Sequence, residues 1–163
     1  MAVGQGGLPL REEFIAYIEQ AANGQNFGRR SDGRFYPYST PQGRRIAWRQ
    51  PVWDKTLHAK GCTGAEAEQH LRADLARTQA ELIAALAARR PSVNFTSLDQ
   101  RQQETLLDLG YTQGVANLSP ELWETVLSGD WTRLIRDHLY VRYAGHAPDH
   151  VRNKAFAQRW TTK

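Results

Sequence analysis

Residues 32–50, DGRFYPYSTPQGRRIAWRQ, decide how the whole chain is read. Together with Gly28 upstream, Gly33, Pro37, Pro41 and Gly43 punctuate short aromatic and β-branched pieces, the composition of tight turns between brief strands. Phe35-Tyr36-Pro37-Tyr38 and Ile46-Ala47-Trp48 are the expected strands, joined by a turn at Thr40-Pro41-Gln42-Gly43. A small, irregular β-hairpin region is therefore expected from Gly24 to about Gln50.

On either side of this region the periodicity changes to that of helices. Upstream, Phe14, Ile15, Ile18 and Ala22 recur at helical spacing, which predicts a helix from Leu8 to Asn23 stopped at Gly24. Downstream, Thr63 opens a long element with Glu66 three residues on, the spacing of a capping box. Leu71, Leu75, Leu82 and Leu86 form the core stripe of that helix, which ends before Pro91. A further helix is expected from about Leu98 to Leu109, stopped at Gly110. Ser119-Pro120 starts a short one, with serine as the cap and proline in the first turn. Asp130 caps a helix with Trp131, Leu134, Ile135 and Leu139. Asp149 caps a last one with Val151, Ala155, Phe156 and Trp160. The expected fold is α+β, mostly α, in two lobes: a β-hairpin lobe over about 24–60, and a helical lobe over about 63–163 packed with helix 8–23. The long helix from Thr63 would bridge them, and a cleft between lobes is the expected binding site.

Composition narrows the function classes. A chain of 163 residues, 40% hydrophobic and 23% charged, is ordinary for one globular domain. Cys62 is the lone cysteine, so no internal disulfide forms, and no histidine motif near it suggests a nucleophile. The five histidines show no ligand spacing backed by cysteine or acidic residues, so neither metal nor other cofactor is expected. No apolar run approaches the roughly 20 residues that span a bilayer. The opening MAVGQGGLPL lacks the charged and apolar regions of a signal peptide. The net charge of +4 favours polyanions, bacterial walls among them. The arginines are scattered and no nucleic-acid-binding motif accompanies them, so nucleic acid is not expected as a partner.

Four stretches, in order, resemble the phage-type lysozymes (family 24 glycoside hydrolases). DGRFYPYSTPQG (32–43) followed by IAWRQ (46–50) resembles a hairpin in which Tyr-Pro-His leads to Ser-Pro-Glu-Gly and then Thr-Ile-Ala-Tyr-Gly-His. TGAEAEQHLRADL (63–75) resembles the family's T-x-x-E-A-x-x-L-L-x-x-D helix. QQETLLDLGYTQGVANL (102–118) resembles its buried helix with an aromatic-x-x-Gly ending, and DHVRNKAF (149–156) resembles its closing segment. The resemblance implies a lysozyme-like fold. It also implies a muramidase activity on peptidoglycan glycan strands, cutting between N-acetylmuramic acid and N-acetylglucosamine. An endolysin, a tail enzyme or an injected effector would fit; each is made in the cytoplasm and acts in the periplasm or wall, and an effector would have an immunity partner. A monomer is expected.

Such cleavage needs an acid to protonate the leaving oxygen and a second polar group to stabilise the sugar cation or activate water. The family places its acid, a glutamate, at the end of the first helix. Two positions compete for that place here. Glu19 is the last carboxylate of the helix. Ala22, in Ala22-Asn23-Gly24, matches the family's slot and continues the face of Ile15 and Ile18, with Glu19 about 60° away in azimuth. An alanine donates no proton, so a chain with its acid slot at Ala22 is inactive as written and would remain as a non-catalytic wall-binding or structural protein. Thr40 matches the polar residue of the hairpin turn. Arg45 replaces the strand-initial threonine and suits a sugar carboxylate; Arg49 and Gln50 replace the Gly-His pair. Tyr36, Tyr38 and Trp48 suit stacking on sugar rings, and Gln50, Gln113, Arg142 and His146 complete the candidate binding residues.

Overall fold

The computed structural model describes residues 10–139 together with Phe156 and Arg159. Their architecture is mostly helical with one small three-stranded antiparallel sheet. The chain divides into two compact units, Arg11–Ala73 and Asp74 onward. The first helix therefore groups with the hairpin, not with the later helices.

In the first unit, helix α1 covers Glu12–Asn23 and buries Phe14, Ile15, Ile18, Ala21 and Asn23. It starts at Glu12 because Arg11 is extended; Leu8, the expected start, lies outside the described residues. Glu12 and Glu13 in the first turn sit favourably against the positive end of the helix. Ala22 shares the azimuth of Ile15 but stays half-exposed, because cover at the last turn falls on Asn23 instead.

Strands β1 (Tyr38–Thr40) and β2 (Gly43–Ile46) pair in the register Tyr38↔Arg45, Ser39↔Arg44 and Thr40↔Gly43. The turn between them is the expected one, with proline second and glycine fourth. The strands themselves lie closer to the turn than expected, Tyr38–Thr40 in place of Phe35–Tyr38 and Gly43–Ile46 in place of Ile46–Trp48. Phe35 makes only isolated bridges, to Arg29 and Cys62, and regular pairing begins after Pro37, whose nitrogen has no hydrogen to donate. β2 ends at Ile46 because Ala47 and Arg49 take left-handed conformations, φ 50° and 62°, and turn the chain into β3 (Gln50–Pro51). A short helix α2 (Leu57–Lys60) follows.

Gly28 closes this unit around Tyr36. Its φ is +79°, its carbonyl accepts from the Tyr36 amide at 2.9 Å, and a Cβ there would stand 2.3 Å from the Tyr36 carbonyl oxygen. Gly28→Ala combines left-handed strain with a backbone clash. It is expected to cost about 3 kcal/mol or more in chemical denaturation. A change below about 1 kcal/mol would show that the backbone there yields freely.

Helix α3 spans Gly64–Arg89, beginning in the first unit and continuing into the second. The Glu66 amide donates to the Thr63 hydroxyl at 3.1 Å and the Thr63 amide to the Glu66 carboxylate, the expected capping box. Leu71, Leu75, Leu82 and Leu86 are all fully buried.

The second unit adds α4 (Gln100–Gln113), α5 (Pro120–Ser128) and α6 (Trp131–Arg133), with wider π-type turns over Leu134–Leu139. α4 passes through Gly110, the expected stop, and ends at Gly114. Gly110 is there for closeness: a Cβ would lie 3.0 Å from Thr78 and 3.1 Å from Val115. Asp99, Ser119 and Asp130 cap their helices through their side chains. Trp123, Leu106, Leu109, Leu134 and Phe156 fill the core. The expected last helix from Asp149 lies outside the described residues, Phe156 and Arg159 excepted; both are helical. Among the described residues no helix is long and apolar enough to cross a membrane.

Candidate functional site

The end of α1 is tied to the hairpin through one side chain. Asn23 Nδ2 donates to the Ala47 carbonyl at 2.7 Å and to the Phe27 carbonyl at 3.0 Å, while its Oδ1 accepts from the Phe27 amide at 2.8 Å. A buried amide satisfied on both ends is a strong positioning device, since truncation leaves its partners short of bonds away from water. Asn23→Ala is expected to lower stability by about 3 kcal/mol. Asn23→Asp, which loses the donor and faces a carboxylate at two carbonyls, is expected to cost at least as much. Thermal melts of both variants check this.

The Ala47 carbonyl is a shared acceptor. It also receives the Tyr38 hydroxyl at 2.8 Å, and that hydroxyl accepts from the Arg49 amide at 3.2 Å. Burial holds the Tyr38 phenol above its ordinary range, with the Arg49 amide and the charges of Arg49 and Arg45 pulling the other way. Arg45 stands directly across the sheet from Tyr38 and is half-exposed. Its Nη1 donates to the Arg44 carbonyl at 3.1 Å.

Glu19 lies one turn before Asn23 on the same face of α1, about 40° away in azimuth. It is half-buried, and its carboxyl keeps its proton to a higher pH than an ordinary glutamate. Burial is the largest cause, followed by repulsion from Glu68; Arg72 partly offsets both, and Glu12 adds to the rise. Arg72 is itself engaged, donating to Glu12 at 2.7 Å and to Glu68 at 3.3 Å. Its charge is thereby shared among three carboxylates. A proton held this way on a partly accessible carboxyl is what a general acid requires.

The other candidates separate by burial. Thr40 sits at the hairpin tip with its hydroxyl donating to the Gly43 carbonyl at 2.7 Å and accepting from the Gln42 amide at 3.2 Å, so it shapes the turn. Gln50 is 0% exposed; it donates to the Ala67 carbonyl of α3 at 3.1 Å and accepts from the Trp48 amide at 3.4 Å. Trp48 is buried with its ring 5.6 Å from that of Phe35. Tyr36 is buried too, its hydroxyl donating to Asp32 at 2.7 Å and its ring covered by the Arg30 guanidinium at 3.8 Å. Expected to bind ligand, Gln50, Trp48 and Tyr36 instead build the unit, because the hairpin turns them against α3, Phe35 and Arg30. Gln113 belongs to the second unit, ending α4, where its carbonyl accepts from Asn117 at 2.7 Å. Arg142 and His146 lie outside the described residues.

One residue of the site escaped the sequence reading. Phe27 is 56% exposed, the only large hydrophobic side chain so exposed among the described residues, and its ring lies 6.1 Å from that of Tyr38. Its signal was present: an aromatic between Asn26 and Gly28, in a turn segment with no periodic apolar neighbours. Among the described residues no group of three or more histidine, cysteine or acidic side chains is placed to hold a metal ion.

Neither a family model, nor a curated protein, nor a solved structure matches the chain.

Proposed function

We propose that this chain acts on the glycan strands of the bacterial wall as a muramidase-type domain, with Glu19 as its proton donor. The observation that carries this reading is the state of Glu19. It is a half-buried carboxyl biased toward its protonated form, one helical turn from the residue that clamps α1 to the hairpin. In that role Glu19 protonates the oxygen leaving between N-acetylmuramic acid and N-acetylglucosamine as the bond to the sugar's anomeric carbon breaks. Water then adds to that carbon and returns the proton.

A second reading is a wall-binding protein without catalysis. It is favoured by the partner side of the chemistry: the Thr40 hydroxyl is committed to its turn, and Arg45, a cation, cannot serve as a base. Purified sacculi separate the two readings. New reducing ends and falling turbidity across the acidic-to-neutral range support hydrolysis. Retention on sacculi without new ends supports binding alone. Neither retention nor new ends would sink both.

A further inference from the structure

All three non-glycine residues that the described chain holds in left-handed backbone surround a single pair of rings. Asn26, φ 56°, immediately precedes Phe27. Ala47, φ 50°, supplies the carbonyl that takes the Tyr38 hydroxyl, and Arg49, φ 62°, supplies the amide that donates to it. Such conformations are costly, persist only where surrounding structure enforces them, and gather at sites of function. Here the enforcement is visible. Asn23 holds both the amide and the carbonyl of Phe27, and the same Asn23 holds Ala47. The result is an aromatic step fixed from below and open above, with Phe27 exposed and tilted 37° against a half-buried Tyr38.

The charge around the step is equally one-sided. Between Gln25 and Lys60 stand eight lysines and arginines against two aspartates, in a chain whose total is only +4. Arg45 lies across the sheet from Tyr38, on the same face as its ring. A flat apolar face beside a guanidinium fits a pyranose ring that carries a carboxylate: the ring's axial C–H face covers the aromatic, and the carboxylate meets the cation.

We infer that Phe27, Tyr38 and Arg45 form a subsite for a carboxylate-bearing pyranose within a glycan. The choice of wall sugar rests on the function proposed above, but the subsite does not require hydrolysis. A single-stranded nucleic acid is the other polyanion that stacks on aromatics. It calls for a succession of platforms along a groove, whereas only one large apolar side chain among the described residues is strongly exposed.

The test is a calorimetric titration of the Glu19→Gln chain, which leaves the sugar uncut. Two tetrasaccharides are compared: one of alternating N-acetylglucosamine and N-acetylmuramic acid, and chitotetraose, which lacks the carboxylates. The muramic-acid sugar is expected to bind about tenfold more tightly. Phe27→Ala is expected to weaken both sugars about tenfold with an unchanged melting temperature, and Phe27→Trp to restore them. Arg45→Gln is expected to remove the preference while leaving chitotetraose binding as it was. Equal affinity for the two sugars, unaltered binding by Phe27→Ala, or tighter binding of oligo(dT) than of either sugar would overturn the subsite. Reducing ends released from sacculi by the unmodified chain are read in parallel. Release alongside unaltered Phe27→Ala binding removes the subsite and keeps the hydrolase, and the reverse pattern removes the hydrolase and keeps the subsite.

Discussion

Glu19→Gln is expected to slow the release of reducing ends from sacculi by about two to four powers of ten, the usual contribution of a general acid. Glutamine keeps the size and hydrogen-bonding reach of the side chain but has no proton to give. The unmodified chain should lose activity as pH rises through the elevated pKa of Glu19, because only the protonated form donates. The substitution should also leave a mark on stability, and its sign is opposite to that on rate. Burial and Glu68 raise the Glu19 pKa in the folded chain, so folded protein holds this proton where unfolded protein has released it. The stabilisation from Glu19 is therefore complete below the ordinary glutamate range and is lost as pH rises through the elevated value. Glu19→Gln removes that loss, so the variant should be the more stable chain at neutral pH and the less active one. Melting temperatures measured across pH check this beside the activity. A variant that cleaves at the unmodified rate would return the acid to another residue. Ala22→Glu, which fills the half-exposed neighbouring position, is the informative companion: inertness in both variants alongside an inert unmodified chain leaves binding as the function.

Arg159→Met is expected to lower stability by about 3–5 kcal/mol, the largest structural effect anticipated for the second unit. The Arg159 guanidinium donates to Glu104 Oε1 at 2.7 Å, and the two side chains are only 12% and 8% exposed. Removing the guanidinium takes a short charged hydrogen bond away from a carboxylate of α4 that stays buried, and methionine fills the volume without replacing that bond. For a chain of this size the loss amounts to a fall of roughly 10 °C in Tm. Glu104→Gln in the same chain should recover much of it, since a neutral amide costs far less to bury than a carboxylate that has lost its guanidinium. A single variant within about 1 kcal/mol of the unmodified chain would mean that water reaches Glu104 readily.

Much of the architecture was legible because its signals are local. A capping box joins residues three apart, so Thr63 and Glu66 announced α3, and Ser119-Pro120 announced α5. The leucine stripe from Leu71 to Leu86 repeats at the period of the helix it builds. The turn at Thr40-Pro41-Gln42-Gly43 needs only its own four residues. Strand ends and the fate of Gly110 were less legible. The left-handed Ala47 and Arg49 carry side chains with no local preference for that conformation, and Gly110 is required by Thr78, thirty-two positions earlier.

The site divides along the same line. By itself the sequence determined that a helix ends near Asn23, that a basic, aromatic hairpin follows, and that Glu19 is the last carboxylate before it. Only the tertiary structure decided which of those side chains meets solvent. Gln50 and Trp48 turn inward because Ala67 and Phe35 await them, and Phe27 stays outside because Asn23 holds its backbone at the surface. It also decided the acidity of Glu19, whose pKa is raised by burial and by Glu68, some fifty residues along the chain, against the opposing pull of Arg72. Exposure and protonation depend on what the fold brings within a few ångströms, and separation along the sequence carries no record of that.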